Sequence, residues 1–581
     1  MNPRDWRRRL PSTPVIVVAI AALALLARLL FLDARIAHWD EGRVGFDVLR
    51  YMATGAWEYR PIVHGPFLAH VNRVVFSLLG PSDFSMRLIV AVVGGLFPLS
   101  AWLFRDHLRD VEVVALALFF AVDPVLVYYS RFMRNDVLVA AFAVTALGFY
   151  VRLHATREHR YLYAGTFFLA LSFTAKENAI LYPITVLGGL VLLLDHRLFL
   201  ARFRDGDWTG VLQAHVERTV SGLWTLRLPL AVAAVEFFAI FVFFYAPREA
   251  AVGGLGLWQS IANPTQLPDL VAAATYNPAP CDVPAGETAA RYCDGALEKA
   301  FDSWFAGGHQ DHPYLPYLAH DLKVLAVASG GLALLSVVGF LADRYAGDRP
   351  GDLAALGFYW GVVSLLGYPL ATDIQAPWLM ANAVVALAFP AAAGVALFVD
   401  WGVEGLERED AVSVALSAVV LLLLVGQLPV MAVQTSYVAP QREGNVLIQY
   451  AQPEGDMRPA LEDVERAARA NDGVDVVWYG DDVVMADEGS ADRLPAGGNW
   501  YARLPMPWYL ERFGAVRDST DDPNELYRMI QEDRPPVVLV LERDQNEIHR
   551  DMTGYVNRSY ESRQWAETLV FYVDEEYVTE G

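Results

Sequence analysis

Three short runs in this 581-residue chain combine residue types able to do chemistry. The first, His38-Trp39-Asp40-Glu41-Gly42, sets two adjacent carboxylates just after an apolar segment, Val15 to Leu32, that is long enough to span a bilayer. Charge at a membrane surface is costly and therefore informative. A carboxylate there can serve as a general base, taking a proton from an attacking hydroxyl or amide. The alternative is an interfacial carboxylate that pairs with Arg43 or caps the following helix. The second run is Tyr128-Tyr129-Ser130-Arg131-Phe132-Met133-Arg134-Asn135-Asp136. Arg131 and Arg134 before Asp136 could bind phosphate oxygens bidentately while keeping the acid ionised, or could simply neutralise one another. The third, Phe173-Thr-Ala-Lys176-Glu177-Asn178, places one of only three lysines between two apolar runs. Lys176 could neutralise a lipid phosphate, or pair with Glu177 or Asp136. His64 is a weaker candidate. Arg87, at the start of a span, either touches phosphate or snorkels to the interface, and snorkelling is the expectation. Asp123-Pro124, inside a span, is expected to serve a kink.

These residues need a membrane to place them. With mean hydropathy +0.29 and 55% hydrophobic residues, the chain divides into a membrane part and a soluble part. Runs of about 18 residues or more, enough for ~30 Å of hydrocarbon, recur from Val15 to Met431. We read eleven spans: 15–32, 85–104, 111–129, 136–153, 160–175, 178–195, 228–246, 321–342, 353–371, 377–399 and 411–432. Val44 to Met52 and His64 to Leu79 carry too many polar residues to cross and read as interfacial helices. Arg4, Arg7, Arg8 and Arg9 put the N-terminus in the cytoplasm, and the arginines of the short loops support the same register. Asp40, Glu41, residues 247–320 and the C-terminus then lie outside.

After Gln434 the apolar runs stop. Residues 435–581 hold 30 acids against 14 arginines and no lysine, a net of -16 out of the chain's -22. Their patterns alternate helix (458–470, 523–532) and strand (474–479, 537–541, 569–573), an acidic α/β domain. Such a surface, poor in lysine, suits high salt and hence a halophile. It also excludes nucleic acid as a partner. Cys281 and Cys293 share the 247–320 loop and are as readily a disulfide as two free thiols.

The order of these features resembles the GT-C glycosyltransferases that use lipid-phosphate sugars, which include the protein O-mannosyltransferases and the aminoarabinose transferases of lipid A. In that superfamily an Asp-Glu pair or a lone Asp in the first outer loop precedes an amphipathic helix ending near Thr-Gly-x-Trp and carries the catalytic acid. The match is Asp40-Glu41 with Thr54-Gly55-Ala56-Trp57. A Ser-Arg-x-x-Arg-x-Asp-like run in the second outer loop maps its important Asp to Asp136. The Thr-Lys-Gly-like turn departs here to Lys176-Glu177-Asn178. His64 falls where some relatives have Lys, or His before Pro. The whole layout, including Leu504-Pro-Met-Pro-Trp508-Tyr509-Leu510, is most similar to an archaeal family described as flippase-activity-associated in protein N-glycosylation.

The resemblance implies a GT-C-like polytopic membrane domain (1–434), with a first outer loop (33–84) and a large outer loop (247–320), and a C-terminal extracytoplasmic α/β domain (435–581). It implies transfer of a sugar from a polyprenyl or dolichyl phosphate to a glycan, lipid or protein acceptor, with inversion, among membrane lipids. Asp40, Glu41 and Asp136 are then catalytic. Arg131, Arg134, Lys176, His64 and Arg87 bind the donor phosphate. A divalent metal is allowed but not required, since no Asp-x-Asp pair lies at the site. The competing expectation is a non-enzymatic factor assisting the flipping of dolichyl-phosphate sugars. Charges placed mostly at the outer ends of spans, rather than in mid-membrane, favour a one-sided active site.

Overall fold

Each of the eleven apolar runs lies in helical structure in the computed structural model of the chain. The structure describes residues 11–61, 65–204, 206–249, 255–276, 294–303, 312–346, 351–372, 374–442, 444–453, 457–489, 498–563 and 567–578. His64, Cys281 and Cys293 lie outside the described residues, as does much of 247–320. Two units form: residues 1–30, 57–68 and 89–438 make one, and residues 31–56, 69–88 and 439–581 the other.

The helices up to residue 245 are α1 (Thr13–Leu29), α2 (Trp39–Thr54), α3 (Phe67–Leu79), α4 (Asp83–Leu96), α5 (Asp110–Val122), α6 (Pro124–Tyr129), α7 (Asp136–Thr156), α8 (His159–Ala175), α9 (Leu181–Arg204), α10 (Trp208–Thr225) and α11 (Arg227–Tyr245). Then come α12 (Tyr314–Tyr345), α13 (Asp352–Ala371), α14 (Met380–Glu407) and α15 (Ala411–Val433). Among the described residues, eight helical segments are long and apolar enough to cross a membrane: Asp83–Phe104, Asp136–Thr156, Glu177–Phe203, Arg227–Tyr245, Tyr314–Tyr345, Asp352–Ala371, Pro377–Glu407 and Ala411–Val438. This is a multi-pass membrane protein. Helix α3, with 13 residues, reaches only about 20 Å and is too short to cross unaided.

Residues 111–129 form two helices rather than one. Pro124 has no N–H to give the carbonyl of Phe120, so α5 ends at Val122 and Asp123 caps α6, accepting from the amides of Val125 and Leu126. The carbonyls this break orphans, of Phe120 and Ala121, are taken by the fully buried guanidinium of Arg28 on α1. A second break, at Ser329 in α12, is satisfied by Gln427 of α15. Its amide donates to the carbonyls of Val327 and Ala328 and accepts from the N–H of Gly331. The centre of this unit is α14, buried over most of Met380 to Ala392 and packed on α5, α12, α13 and α15. Gly339 and Gly394 let α12 and α14 touch backbone to backbone: a Cβ on Gly339 would lie 1.9 Å from the carbonyl oxygen of Pro390.

The other unit is built on a five-stranded sheet. Its strands are β1 (Val476–Tyr479), β2 (Arg517–Thr520), β3 (Val537–Leu541), β4 (Tyr555–Arg563) and β5 (Glu567–Asp574), in the order β2-β1-β3-β5-β4. β1 is parallel to β2 and β3, while β5 is antiparallel to β3 and β4. Helices α16 (Arg458–Ala470), α17 (Met506–Phe513) and α18 (Pro523–Glu532) complete it. Val477, Tyr479, Val538, Val540, Val570 and Tyr572 form its core with Leu526 and Ile530 of α18.

Residues 31–56 and 69–88 join this unit through the stretch around Trp508. Gly42 and Gly45, one turn apart on α2, leave a flat face on which Pro505 and the Trp508 ring lie so close that a Cβ on either would sit at 2.7 Å. Asp83 then accepts from Trp508 Nε1 at 2.9 Å and from the Tyr509 hydroxyl at 3.1 Å, and pairs with Arg512 at 3.2 Å. Tyr509 in turn accepts from the amide of Ala37 at 2.8 Å.

Candidate active site

The Asp40-Glu41 pair sits in the first turn of α2, and the cap of that helix is His38, not Asp40. His38 Nδ1 accepts from the Asp40 amide at 3.0 Å, and Glu41 Oε2 accepts from the His38 amide at 2.9 Å. With Nδ1 accepting, the ring's proton is on Nε2, 2.7 Å from the carbonyl oxygen of Tyr450. The Asp40 Oδ2 lies 3.7 Å from His38 Nδ1. Asp40 is fully buried. Arg43, a suggested partner for it, stacks instead on Tyr501 at 4.8 Å and on Trp39 at 5.7 Å.

Glu41 is enclosed. Arg87 Nε donates to its Oε1 at 2.9 Å and Arg87 Nη2 to its Oε2 at 2.8 Å, with Arg35 Nη2 at 3.5 Å. Burial pushes the Glu41 carboxyl up, but the Arg87 and Arg35 guanidiniums outweigh it and hold the group well below the usual carboxylate range. Arg87 does not snorkel. It is fully buried, and its remaining N–H groups go to the carbonyls of Leu32, Arg35 and Ile36, so all five of its donors are used within this unit.

In the membrane unit, Asp136 opens α7 and Lys176 follows the last residue of α8 in extended backbone (φ -158°, ψ 143°). Lys176 Nζ donates to Asp136 Oδ1 at 2.9 Å, so of the pairings open to it the lysine makes the one with Asp136. Arg134 Nε reaches Asp136 Oδ2 at 3.4 Å while its guanidinium lies over Trp378 at 3.9 Å. Two cationic groups, one of them backed by Trp378, thus converge on one buried carboxylate at a helix N-terminus, where an anion is favoured. Arg131 reaches the end of α1. Its Nη1 donates to the carbonyls of Ala27, Arg28 and Leu30, closing the C-terminal end of α1, and it lies over Tyr437 at 4.4 Å. Beside Lys176, Glu177 accepts from the hydroxyl of Tyr59, whose ring packs at a tilt against Tyr245.

The structure therefore brings Arg134, Asp136 and Lys176 together, and separately Glu41 and Arg87, next to Asp40. Trp378 escaped the sequence reading, although an aromatic residue after Pro377 at the head of a span was a visible signal. Among the described residues, no group of three or more His, Cys, Asp and Glu side chains is arranged to hold a metal.

Residues 63–205 match the family described as "Dolichyl-phosphate-mannose-protein mannosyltransferase", and residues 457–574 match "Agl23 flippase-associated protein C-terminal domain". Among solved structures, the chain is similar to ArnT from Cupriavidus metallidurans bound to undecaprenyl phosphate, with a TM-score of 0.54 and 15% identity over 97% of this chain and 99% of that one. The apo state of the same enzyme gives a TM-score of 0.51 at the same identity and coverage. No curated protein sequence matches the chain. The fold is thus of the GT-C type, with a small C-terminal sheet domain resembling that of the Agl23 flippase-associated proteins.

Proposed function

We propose that this GT-C-type chain is a membrane glycosyltransferase that takes a sugar from a polyprenyl or dolichyl phosphate donor and transfers it, with inversion, to a glycan, lipid or protein acceptor on the outer face. The observation that supports this most is the Lys176–Asp136–Arg134 group, which lies wholly within the segment similar to dolichyl-phosphate-mannose-protein mannosyltransferases. The ArnT structure with undecaprenyl phosphate makes a polyprenyl phosphate a reasonable donor class.

In the reaction, the acceptor oxygen or nitrogen forms a bond to the anomeric carbon as the bond from that carbon to the phosphate oxygen breaks. The acceptor's proton passes to Asp40, the general base. The leaving lipid phosphate gains a negative charge, which Lys176 and Arg134 stabilise, and Asp136 holds those two cations in place. Arg131 supports the end of α1. Glu41 and Arg87 hold the helix that carries Asp40. The N-terminus is cytoplasmic, and residues 439–581 lie outside, where they would select the acceptor.

The purified full chain in detergent, given polyprenyl phosphate-mannose or polyprenyl phosphate-glucose and an acceptor mixture, should release polyprenyl phosphate. The match to the Agl23 domain favours a second reading, a factor that assists flipping. That factor would give no turnover in detergent, yet would speed movement of the lipid-linked sugar across proteoliposome membranes. For topology, a cysteine replacing the exposed Thr553 should react with a membrane-impermeant thiol reagent in intact cells; labelling only after lysis would put the domain inside.

A further inference from the structure

Buried amides are nearly always hydrogen-bonded at both ends, so an exception calls for an explanation. Asn135 is one. It is 0% exposed, and neither its side-chain oxygen nor its nitrogen has a partner. It stands at the N-cap of α7, where an asparagine ordinarily turns its oxygen onto the first amides of the helix. Here its backbone is already in the helical region (φ -91°, ψ -10°), and the side chain makes no capping bond. It is also the residue between Arg134 and Asp136, beside the carboxylate on which the cations converge.

A second orphan lies close by. Tyr182, in the first turn of α9 and six residues after the Lys176 that holds the Asp136 carboxylate at 2.9 Å, is 4% exposed, and its hydroxyl has no partner. We propose that Asn135 and Tyr182 form a subsite for hydroxyl groups of the donor's sugar, an inference that rests on the transferase reading above.

The chemistry of the orphans selects the ligand. Phosphate oxygens only accept, so they suit Lys176 and Arg134 and the amide N–H groups, but leave the Asn135 oxygen without a donor. A sugar hydroxyl donates and accepts at once, and so satisfies both ends of the amide; the tyrosine hydroxyl has the same dual need. A site whose buried polar groups go unmatched rejects a ligand lacking the hydroxyl far more strongly than an apolar pocket would.

The test compares binding of two probes to the full chain in detergent: bare polyprenyl phosphate, and polyprenyl phosphate-mannose or polyprenyl phosphate-glucose. Asn135→Ala and Tyr182→Phe, the second of which removes only one oxygen, should each weaken binding of the glycosylated lipid about tenfold or more. Both should leave bare polyprenyl phosphate within about twofold of wild type. Deoxy donors should show which hydroxyl is read, the variants losing discrimination against one of them. Equal weakening of both lipids would mean phosphate contact or a structural role and would overturn the subsite, as would no change in either, which is what a water-filled pocket gives. If the wild type binds bare polyprenyl phosphate and the sugar adds nothing, the subsite falls while the donor class stands. If it binds neither lipid, the transferase reading falls and takes the subsite with it.

Discussion

Glu41 with Arg87, and Asp136 with Lys176 and Arg134, are both buried acid-base groups, and they are finished to different degrees. Around Glu41 both carboxylate oxygens and all five Arg87 donors are consumed by protein. Beside Asp136, the Asn135 amide and the Tyr182 hydroxyl remain unmatched. The Glu41–Arg87 pair is what a structural lock looks like, because a buried ion pair returns the cost of burying its charges only when both partners are satisfied. The second stays incomplete until something else supplies the missing groups. Burial and charge alone do not separate the two; the count of unspent hydrogen bonds does.

That contrast fixes what substitutions should do. The largest effect is expected from Arg87→Ala, which strands the Glu41 carboxylate and should cost about 3–5 kcal/mol. It would be read as a collapse of thermal stability and rapid proteolysis of residues 439–581. Arg87→Lys should not rescue it, since three donors cannot replace five. A melting loss smaller than that of Arg134→Ala would reverse the assignment of the two groups.

Next, Asp40→Asn keeps the shape of the side chain and removes its basicity, so turnover of the donor should fall by ~10²- to 10⁴-fold with the melting temperature unchanged. Retained turnover would clear Asp40 of the role of base. Arg134→Ala should be milder, lowering kcat/KM for the donor about 10- to 100-fold, the worth of a charge-assisted hydrogen bond. The fold should tolerate it, because Asp136 keeps Lys176.

The smallest effect is one of pH. The Glu41 carboxyl is held below its ordinary value in the folded protein, so its contribution to stability is complete above the unfolded-state value of about 4.3 and is lost as the pH falls from there through the folded-state value. The melting difference between wild type and Glu41→Gln should therefore be flat from pH 8 to about 5 and shrink only in stronger acid. A difference that already changes near pH 6 would point to a titrating neighbour instead.

Much of this architecture is legible in local pattern. Length and hydropathy mark the spans, and α18 (523–532) and β3 (537–541) fall on the residues their periodicity implies. The strands that escape notice, Arg517–Thr520 and Tyr555–Arg563, are the two edges of the sheet. Edge strands carry polar residues because one side is unpaired, and that erases the apolar signal. In the site, the run from Ser130 to Asp136 shows its chemistry by composition, and the pairing of Lys176 with Asp136 is among the few available partners. Arg87 is misread as a snorkelling side chain because its partners, Glu41 and three backbone carbonyls, lie 46 to 55 residues earlier in the chain. Asn135 stands in plain view within the run, but an orphaned amide can be recognised only once every neighbour has been placed.

The hold of Asp83 and the α2 glycines on the Trp508 region sets the order of events during synthesis. The segment bearing Asp40 leaves the ribosome early, but the residues that clasp it begin at 439. At about 5–20 residues per second, the interval from residue 56 to residue 439 is roughly twenty to eighty seconds. Throughout it, Gly42, Gly45 and Asp83 wait for the Trp508 stretch, so the helix that carries Asp40 cannot be locked in place while the membrane helices are still being threaded. The clasp around α2 closes last, and a chain cut short before the Trp508 stretch is delivered to the membrane without it.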